Sequence, residues 1–538
     1  MSQKYSRRKF IGTSSAALVA GLAAETAASE APVPGAQSTK GTSSRPNLIL
    51  YMPDELRADA LACYGNPVTK TPNFDRVAAE GTPFENCHVQ YPVCGASRCS
   101  LLTGWPTSVR GHRSLMYFLR PEEPNLFRYL RQAGYEVFWF GKNDALAAQS
   151  FYDSVTVWNY SENRQVGAEG GHASSGPQKP YTRTFLRGEG GDPRETQEYT
   201  FVEAANRILE RKEQDRPFCI FLPLSSPHPP YTAPKGFYGM YSPADIDNLR
   251  PRGLPKRPNY VEAIRQAYGI ADMPDEVFRK VRATYYSSVS YSDWLLGQLL
   301  EALDRTGHDR DTALFVLSDH GDYAGDYGLV EKWPSGLEDC LTHVPLIARV
   351  RGGKPNGVCH EMVELFDVMA TCLELSGAKA NHTHFARTLM PQIQGGQGDK
   401  NRAAFAEGGY NLYEPQCFED ADHNPASLYF PRENLETDQP ETITRAAMVR
   451  TRDCKLISRP QGQSELYVYK DDPQEVHNRF GESSIAGVQA EMQEKLLNWY
   501  INTTGIAPRD KDQRGFPTFN DTPRFPEEHA VKKILDAS

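Results

Sequence analysis

The chain has 538 residues, 39% hydrophobic and 24% charged, the balance of an ordinary globular protein with room for a large core and a second, smaller domain. Its net charge of −9 and pI near 5.9 exclude the broad basic face of a nucleic-acid binder. An anionic ligand would therefore have to be held by local cations.

In chain order, Ser6-Arg7-Arg8-Lys9-Phe10-Ile11-Gly12 resembles a twin-arginine export signal. It is followed by a mild apolar run from Thr13 to Ala24 and small residues to Ala31, too short and too weakly apolar to span a bilayer stably. Residues 1–31 are thus expected to be a signal peptide cleaved near 28–31, and residues 32–45 a flexible linker. The mature protein is expected to be exported by the twin-arginine machinery, periplasmic or secreted, with no stable membrane span. Substrates of that machinery fold in the reducing cytoplasm, so the ten cysteines are expected to form few or no disulfides. Cys94 to Cys99 is the one obvious short bridge.

Asn47-Leu48-Ile49-Leu50-Tyr51-Met52 reads as a buried strand, and Asp54-Glu55 stand just beyond it, where open α/β sheets bind ligands. Helical spacing from Asn125 to Ala133 is stopped by Gly134, and the strand Tyr135 to Phe140 runs into Gly141-Lys142. A helix closing at Asn206 to Lys212 precedes the strand Phe218 to Leu222, which delivers Ser225-Ser226-Pro227-His228. The long amphipathic helix Val281 to Leu303 precedes the strand Ala313 to Leu317, which ends in Ser318-Asp319-His320-Gly321-Asp322. Four strands thus end in polar motifs, and the alternation predicts an α/β fold with helices on both faces of one sheet. After about residue 385 the pattern changes. Ala446 to Arg450, Lys455 to Ser458 and Leu466 to Tyr469 read as a small antiparallel sheet, followed by a helix from Gly487 to Trp499. The expected boundaries are 46–385 for a catalytic domain and 386–538 for a C-terminal α+β subdomain.

The most informative run is Pro92-Val93-Cys94-Gly95-Ala96-Ser97-Arg98-Cys99-Ser100-Leu101-Leu102-Thr103-Gly104. A lone cysteine is most often a small inert hydrophobe. This one sits where a loop enters a helix, and helix N-termini attract anions. Asp54, Glu55, Asp319 and His320 add carboxylates and an imidazole that suit a hard cation, calcium before magnesium or manganese.

Cys-x-Ala-Ser-Arg, with Thr-Gly five residues on, resembles the signature of the type I sulfatases, in which that cysteine is oxidised to formylglycine. Pro46 to Asp59, Thr71 to Asp75, Gly134 to Lys142, Ala313 to Asp322, Thr342 to Leu346 and Glu465 to Pro473 are similar to further family blocks, in the family's order. The resemblance implies an alkaline phosphatase/sulfatase-like fold with a large mixed sheet sandwiched by helices. It implies hydrolysis of sulfate esters, with a carbohydrate as the expected substrate, by a formylglycine hydrate made by a maturing enzyme. By the same resemblance Asp54, Glu55, Cys94, Asp319 and His320 hold one divalent cation, and Arg98 anchors the nucleophile. Lys142, His228 and Lys332 grip the sulfate, Asp319 serves as base, and His228 with Lys332 protonates the leaving alcohol. Arg98→Ala is expected to abolish activity and leave the fold intact.

Glu55 stands where relatives more often carry Asp or Gln, and Ala96 where Pro is commoner. Asp144 stands where a histidine is expected two residues after the lysine, leaving its role open between a substrate hydroxyl contact and a base, with His112 a candidate to replace the imidazole. A phosphonate monoesterase or phosphodiesterase of the same superfamily, and a silent glycan-binding relative, are the alternative readings.

Overall fold

The computed structural model describes residues 45–159, 183–212, 215–355, 357–418 and 427–507. The segment read as an export signal, and all but the last residue of the linker, lie outside these residues. The strands are β1 (Asn47–Asp54), β2 (Thr82–His88), β3 (Glu136–Phe140), β4 (Val157–Asn159), β5 (Leu186–Glu189), β6 (Phe218–Pro227), β7 (Tyr231–Ala233) and β8 (Thr312–Leu317). They continue with β9 (His343–Val344), β10 (Leu346–Arg349), β11 (Cys359–Glu364), β12 (Ala404–Gly408), β13 (Ala446–Arg450), β14 (Cys454–Ser458) and β15 (Glu465–Val468). The main helices are α1 (Pro72–Glu80), α2 (Cys94–Thr103), α3 (Leu126–Gln132), α4 (Gln197–Leu209), α5 (Asp275–Thr306), α6 (Asp367–Ser376) and α7 (Ala486–Thr503).

The large sheet runs β11-β2-β10-β8-β1-β6-β3-β4, with β9 paired to β2. Strands β8, β1, β6, β3 and β4 are parallel, while β10 is antiparallel to both β8 and β2, which makes the sheet mixed. Every residue of β1 is buried, because the sheet is covered on both faces. Ile49 and Tyr51 pack with Phe74 of α1, Val202 of α4 and Val289 of α5. Leu48, Leu50 and Met52, one residue out of phase, pack with Leu102 of α2, Phe127 of α3 and Met369 of α6. This is the sandwich expected from the sequence.

The smaller sheet, β12-β13-β14-β15, is antiparallel throughout. One face, with Val449, Leu456 and Leu466, meets Met492 and Leu496 of α7. The other face, with Met448, Ile457 and Tyr467, packs on Leu337. Among the described residues no helix is long and apolar enough to cross a membrane. All ten cysteines are unpaired, Cys94 and Cys99 included.

Helix α5 also caps α1. Thr71 offers α1 no side-chain cap, and Asp293 supplies one from the neighbouring helix. Its Oδ1 accepts from the backbone N–H groups of Asn73 (2.9 Å) and Phe74 (2.8 Å), and its Oδ2 from the Asn73 amide (2.8 Å). Burial nevertheless pushes the Asp293 carboxyl up to about 7, against the pull of those donors. A carboxyl with a raised native pKa holds its proton in the fold, so stability is lost as pH climbs from the unfolded value near 4 to about 7. Asp293→Asn is expected to remove this component, worth on the order of 4 kcal/mol above neutral pH. Urea unfolding at several pH values checks it: the variant's advantage should grow between pH 4 and 7 and then level off.

Candidate active site

The parallel strands β8, β1, β6 and β3 end at one edge of the sheet, and the residues just past those ends converge. Ser318 stitches two of the ends together, its hydroxyl donating to the Pro53 carbonyl (2.8 Å) and accepting from the Leu56 N–H (2.9 Å). After Asp54 the backbone turns sharply, Glu55 taking the left-handed φ of 68° that side chains rarely adopt. That turn is held by the Glu55 N–H on Asp319 Oδ1 (3.1 Å) and by the Tyr285 hydroxyl on the Glu55 carbonyl (2.8 Å).

Cys94 is the first residue of α2, as the loop-to-helix reading of its sequence expects. Its Sγ lies 3.0 Å from His320 Nε2, 3.5 Å from Asp54 Oδ1 and 3.7 Å from Lys142 Nζ. Burial and then the Asp54 charge push the thiol up, beyond what Lys142 and Lys332 offset, so an unmodified Cys94 is protonated at neutral pH and a poor nucleophile. His320 Nδ1 is 2.8 Å from the Gly321 carbonyl, which can only accept. Nδ1 therefore carries a proton, and Nε2 faces the cluster. Gly321 itself is pinned by its N–H on the Leu341 carbonyl (2.8 Å), and a Cβ on it would lie 2.1 Å from the Cys340 carbonyl oxygen.

Four cationic or imidazole side chains surround these groups. Arg98 is fully buried, with Nε donating to Asp319 Oδ2 (2.7 Å), Nη2 3.2 Å from Asp54 Oδ2 and Nη1 donating to the Lys142 carbonyl (3.3 Å). Lys142 Nζ is 2.6 Å from Asp54 Oδ2 and 2.9 Å from Asp144 Oδ2. Burial alone would raise the Asp54 carboxyl, but Lys142 and Arg98 outweigh it and hold it well below the usual carboxylate range. Lys332 Nζ donates to Glu331 Oε1 (2.6 Å), Glu55 Oε2 (3.1 Å) and His228 Nε2 (3.1 Å). Burial and the neighbouring Lys332 depress the His228 imidazole, so it accepts that proton as a neutral ring.

Two overlapping sets could hold a cation. Asp54, Cys94, Asp319 and His320 each offer a ligand atom within 4.8 Å of the others, and so do Asp54, Glu55 and His228. Each set offers two carboxylates and an imidazole, with Asp54 common to both, and the oxygen donors suit a hard divalent ion. The five ligands expected from the sequence do not form one group, because Glu55 falls with His228 and not with Cys94, Asp319 and His320. Glu55 Oε1 is buried with no hydrogen-bond partner, an acceptor left for such an ion to satisfy.

The residues singled out from the sequence thus converge, apart from His112. Its ring nitrogens are occupied by the Tyr117 carbonyl (2.8 Å) and Glu123 Oε1 (2.9 Å), so it does not replace the missing imidazole. Asp144 pairs with Lys142, which removes the isolated-carboxylate problem at that position. Sequence reading missed Glu331 and Arg432. Arg432 Nη1 reaches both Glu331 oxygens (3.1 and 3.2 Å), and Glu331 in turn orients Lys332. Only its adjacency to Lys332 could have pointed to Glu331.

This buried cluster at the sheet edge, in which a metal-competent acidic set is interleaved with cations, lies on an alkaline phosphatase-like fold. The family model described as Sulfatase matches residues 46–378. The chain belongs to the sulfatase family and is a sulfuric ester hydrolase, and that family implies a divalent metal. Among its relatives is the multifunctional alkaline phosphatase superfamily protein PehA of Trinickia caryophylli, 25% identical over 510 residues that cover 85% of this chain and 96% of that protein. The N-acetylglucosamine-6-O-sulfatase of Bacteroides thetaiotaomicron is 23% identical over 532 residues, 86% of this chain and 87% of that one. The crystal structure of a phosphonate monoester hydrolase of Agrobacterium radiobacter shares the fold, with a TM-score of 0.68, 21% identity and coverage of 85% and 96%.

Proposed function

We propose that the enzyme removes sulfate from a carbohydrate with a nucleophile made from Cys94. The observation that carries this reading is the buried Cys94 Sγ at a helix start, beside Asp54, His320 and Lys142, in a setting where a plain thiol is inert. Oxidised to formylglycine, Cys94 supplies a hydrated aldehyde, one hydroxyl to attack sulfur and a second as the route of release. Asp54 with Asp319 and His320, or with Glu55 and His228, would hold a divalent cation, calcium by the oxygen donors with magnesium or manganese as alternatives, which would supply Lewis acidity beside Cys94.

The chain's own residues do the remainder. Lys142 and Lys332 hold the sulfuryl oxygens, where charge develops, with His228 beside them as the acceptor of a Lys332 proton. Asp319, held by the N–H groups of Glu55 and His320 and by Arg98, serves as the base. The Lys332 ammonium already donates to His228 Nε2, which gives this pair a proton to pass to the leaving alcohol. Residues 1–31 act as a twin-arginine signal, so maturation of Cys94 precedes export to the periplasm or beyond. The carbohydrate assignment is supported by the relative named as an N-acetylglucosamine-6-O-sulfatase. Likeness to a phosphonate monoester hydrolase favours, second, hydrolysis of phosphonate monoesters or phosphodiesters.

Mass spectrometry of the Cys94 peptide, from protein made in its native host, is expected to find an aldehyde or its hydrate. An active preparation carrying only the thiol would sink the formylglycine mechanism. Side-by-side rates on an aryl sulfate and an aryl phosphodiester separate the two substrate readings, with the sulfate expected to be faster.

A further inference from the structure

Asp144 sits on a loop whose backbone has little freedom. Gly141 has a φ of 139°, and a Cβ there would lie 2.2 Å from the Pro223 carbonyl oxygen, so no other residue fits without moving the loop. The Lys142 N–H donates to that same carbonyl (2.8 Å). Asn143 then fixes the next turn: its Oδ1 accepts from the N–H groups of Ala145 (3.2 Å) and Leu146 (3.1 Å), and its amide donates to the Leu146 carbonyl (2.8 Å). The result holds Asp144 Oδ2 at 2.9 Å from Lys142 Nζ, with both side chains 13% exposed at the rim of an otherwise buried cluster.

The single charge of Lys142 therefore faces two carboxylates, Asp54 at 2.6 Å and Asp144 at 2.9 Å. Asp54 belongs to the candidate metal set, whereas Asp144 belongs to neither set. Its effect on an anion bound beside Lys142 is to subtract one positive charge from the rim. That repulsion doubles when the ligand carries two negative charges instead of one, and it is weakly screened at a partly buried site.

We propose that Asp144 is a specificity-determining residue that acts through Lys142: it admits singly charged tetrahedral esters and turns away doubly charged phosphate monoesters. The inference rests on the reading of Lys142 as a partner of the substrate anion. Sulfate esters carry one charge, and so do phosphodiesters and the phosphonate monoesters named for the structural relative.

Asp144→Asn keeps the shape and removes the charge. For wild type and variant, kcat/KM is measured at about pH 8 on 4-nitrophenyl sulfate, bis(4-nitrophenyl) phosphate and 4-nitrophenyl phosphate, the last a dianion there. The phosphate-monoester to sulfate ratio is expected to rise about tenfold in the variant while the diester to sulfate ratio holds. A rise below about threefold, or an equal rise for the diester, overturns the proposal and reduces Asp144 to a prop for Lys142. Lys142→Met separates the foundation from the inference. It is expected to lower kcat/KM on the sulfate, and an unchanged value would remove Lys142 from the anion and take the charge argument with it.

Discussion

Replacing Arg98 with alanine is expected to abolish sulfate-ester turnover and to cost the fold about 3–5 kcal/mol. The first effect follows from position. Arg98 touches Asp319, Asp54 and the Lys142 carbonyl, so its removal frees three groups at once. The second follows from burial, because its side chain and both carboxylates are fully buried. Asp54 would keep Lys142 and Asp319 would keep two backbone donors, but neither recovers the lost guanidinium. The sequence-based expectation of an intact fold is thus revised: an anchor that looks purely catalytic in the motif is also an internal counter-ion. Arg98→Lys, which keeps the charge and loses the planar fork, should recover part of the stability and little of the activity. Urea unfolding beside an aryl sulfate assay checks both effects, and wild-type turnover in Arg98→Ala would refute the site assignment.

Serine in place of Cys94 is expected to cut steady-state turnover by ~10⁴-fold or more. The substitution is nearly isosteric, and a hydroxyl can keep the contacts with Asp54, His320 and Lys142 that surround Sγ. Stability should therefore change little. A serine oxygen could attack sulfur once, yet it has no second oxygen on the same carbon to drive sulfate off. Rapid-quench kinetics on an aryl sulfate should then show at most one equivalent of phenol per site and no continuing release. Multiple turnovers at the wild-type rate would mean that the chemistry does not pass through this side chain.

Much of the centre could be read from the sequence because β1, β6, β3 and β8 are continuous apolar runs that stop at polar residues. A doubly covered parallel strand has to look like that, and ligands gather at its C-terminal end. What escaped depends on the three-dimensional path. Helix α5 begins at Asp275, six residues before the apolar periodicity from Val281 suggests, because its first turns are mostly solvent-facing. Strand β12 lies in a stretch read as irregular, since Ala404-Phe405-Ala406-Glu407-Gly408 is too short and small for its alternation to stand out. Glu407 nonetheless accepts from the Thr107 hydroxyl and the Ser108 N–H, both at 2.7 Å, tying the small sheet to the segment that follows α2. Lys332 lies on a loop with no periodicity, so only the family resemblance marked it. The partners Glu331 and Arg432, 101 residues apart, carry no local signal of meeting.

Gly321 has no side chain, yet it governs how well the acidic set can bind an ion. Its carbonyl holds the proton of His320 on Nδ1, and its closeness to the Cys340 carbonyl leaves no volume for even a methyl group. Any chiral residue there would have to rotate the peptide that pins the ring, and with it the direction of Nε2. Metal affinity at the candidate site would thus drift without the exchange of a single proposed ligand, and a survey of variants confined to those residues would overlook the position.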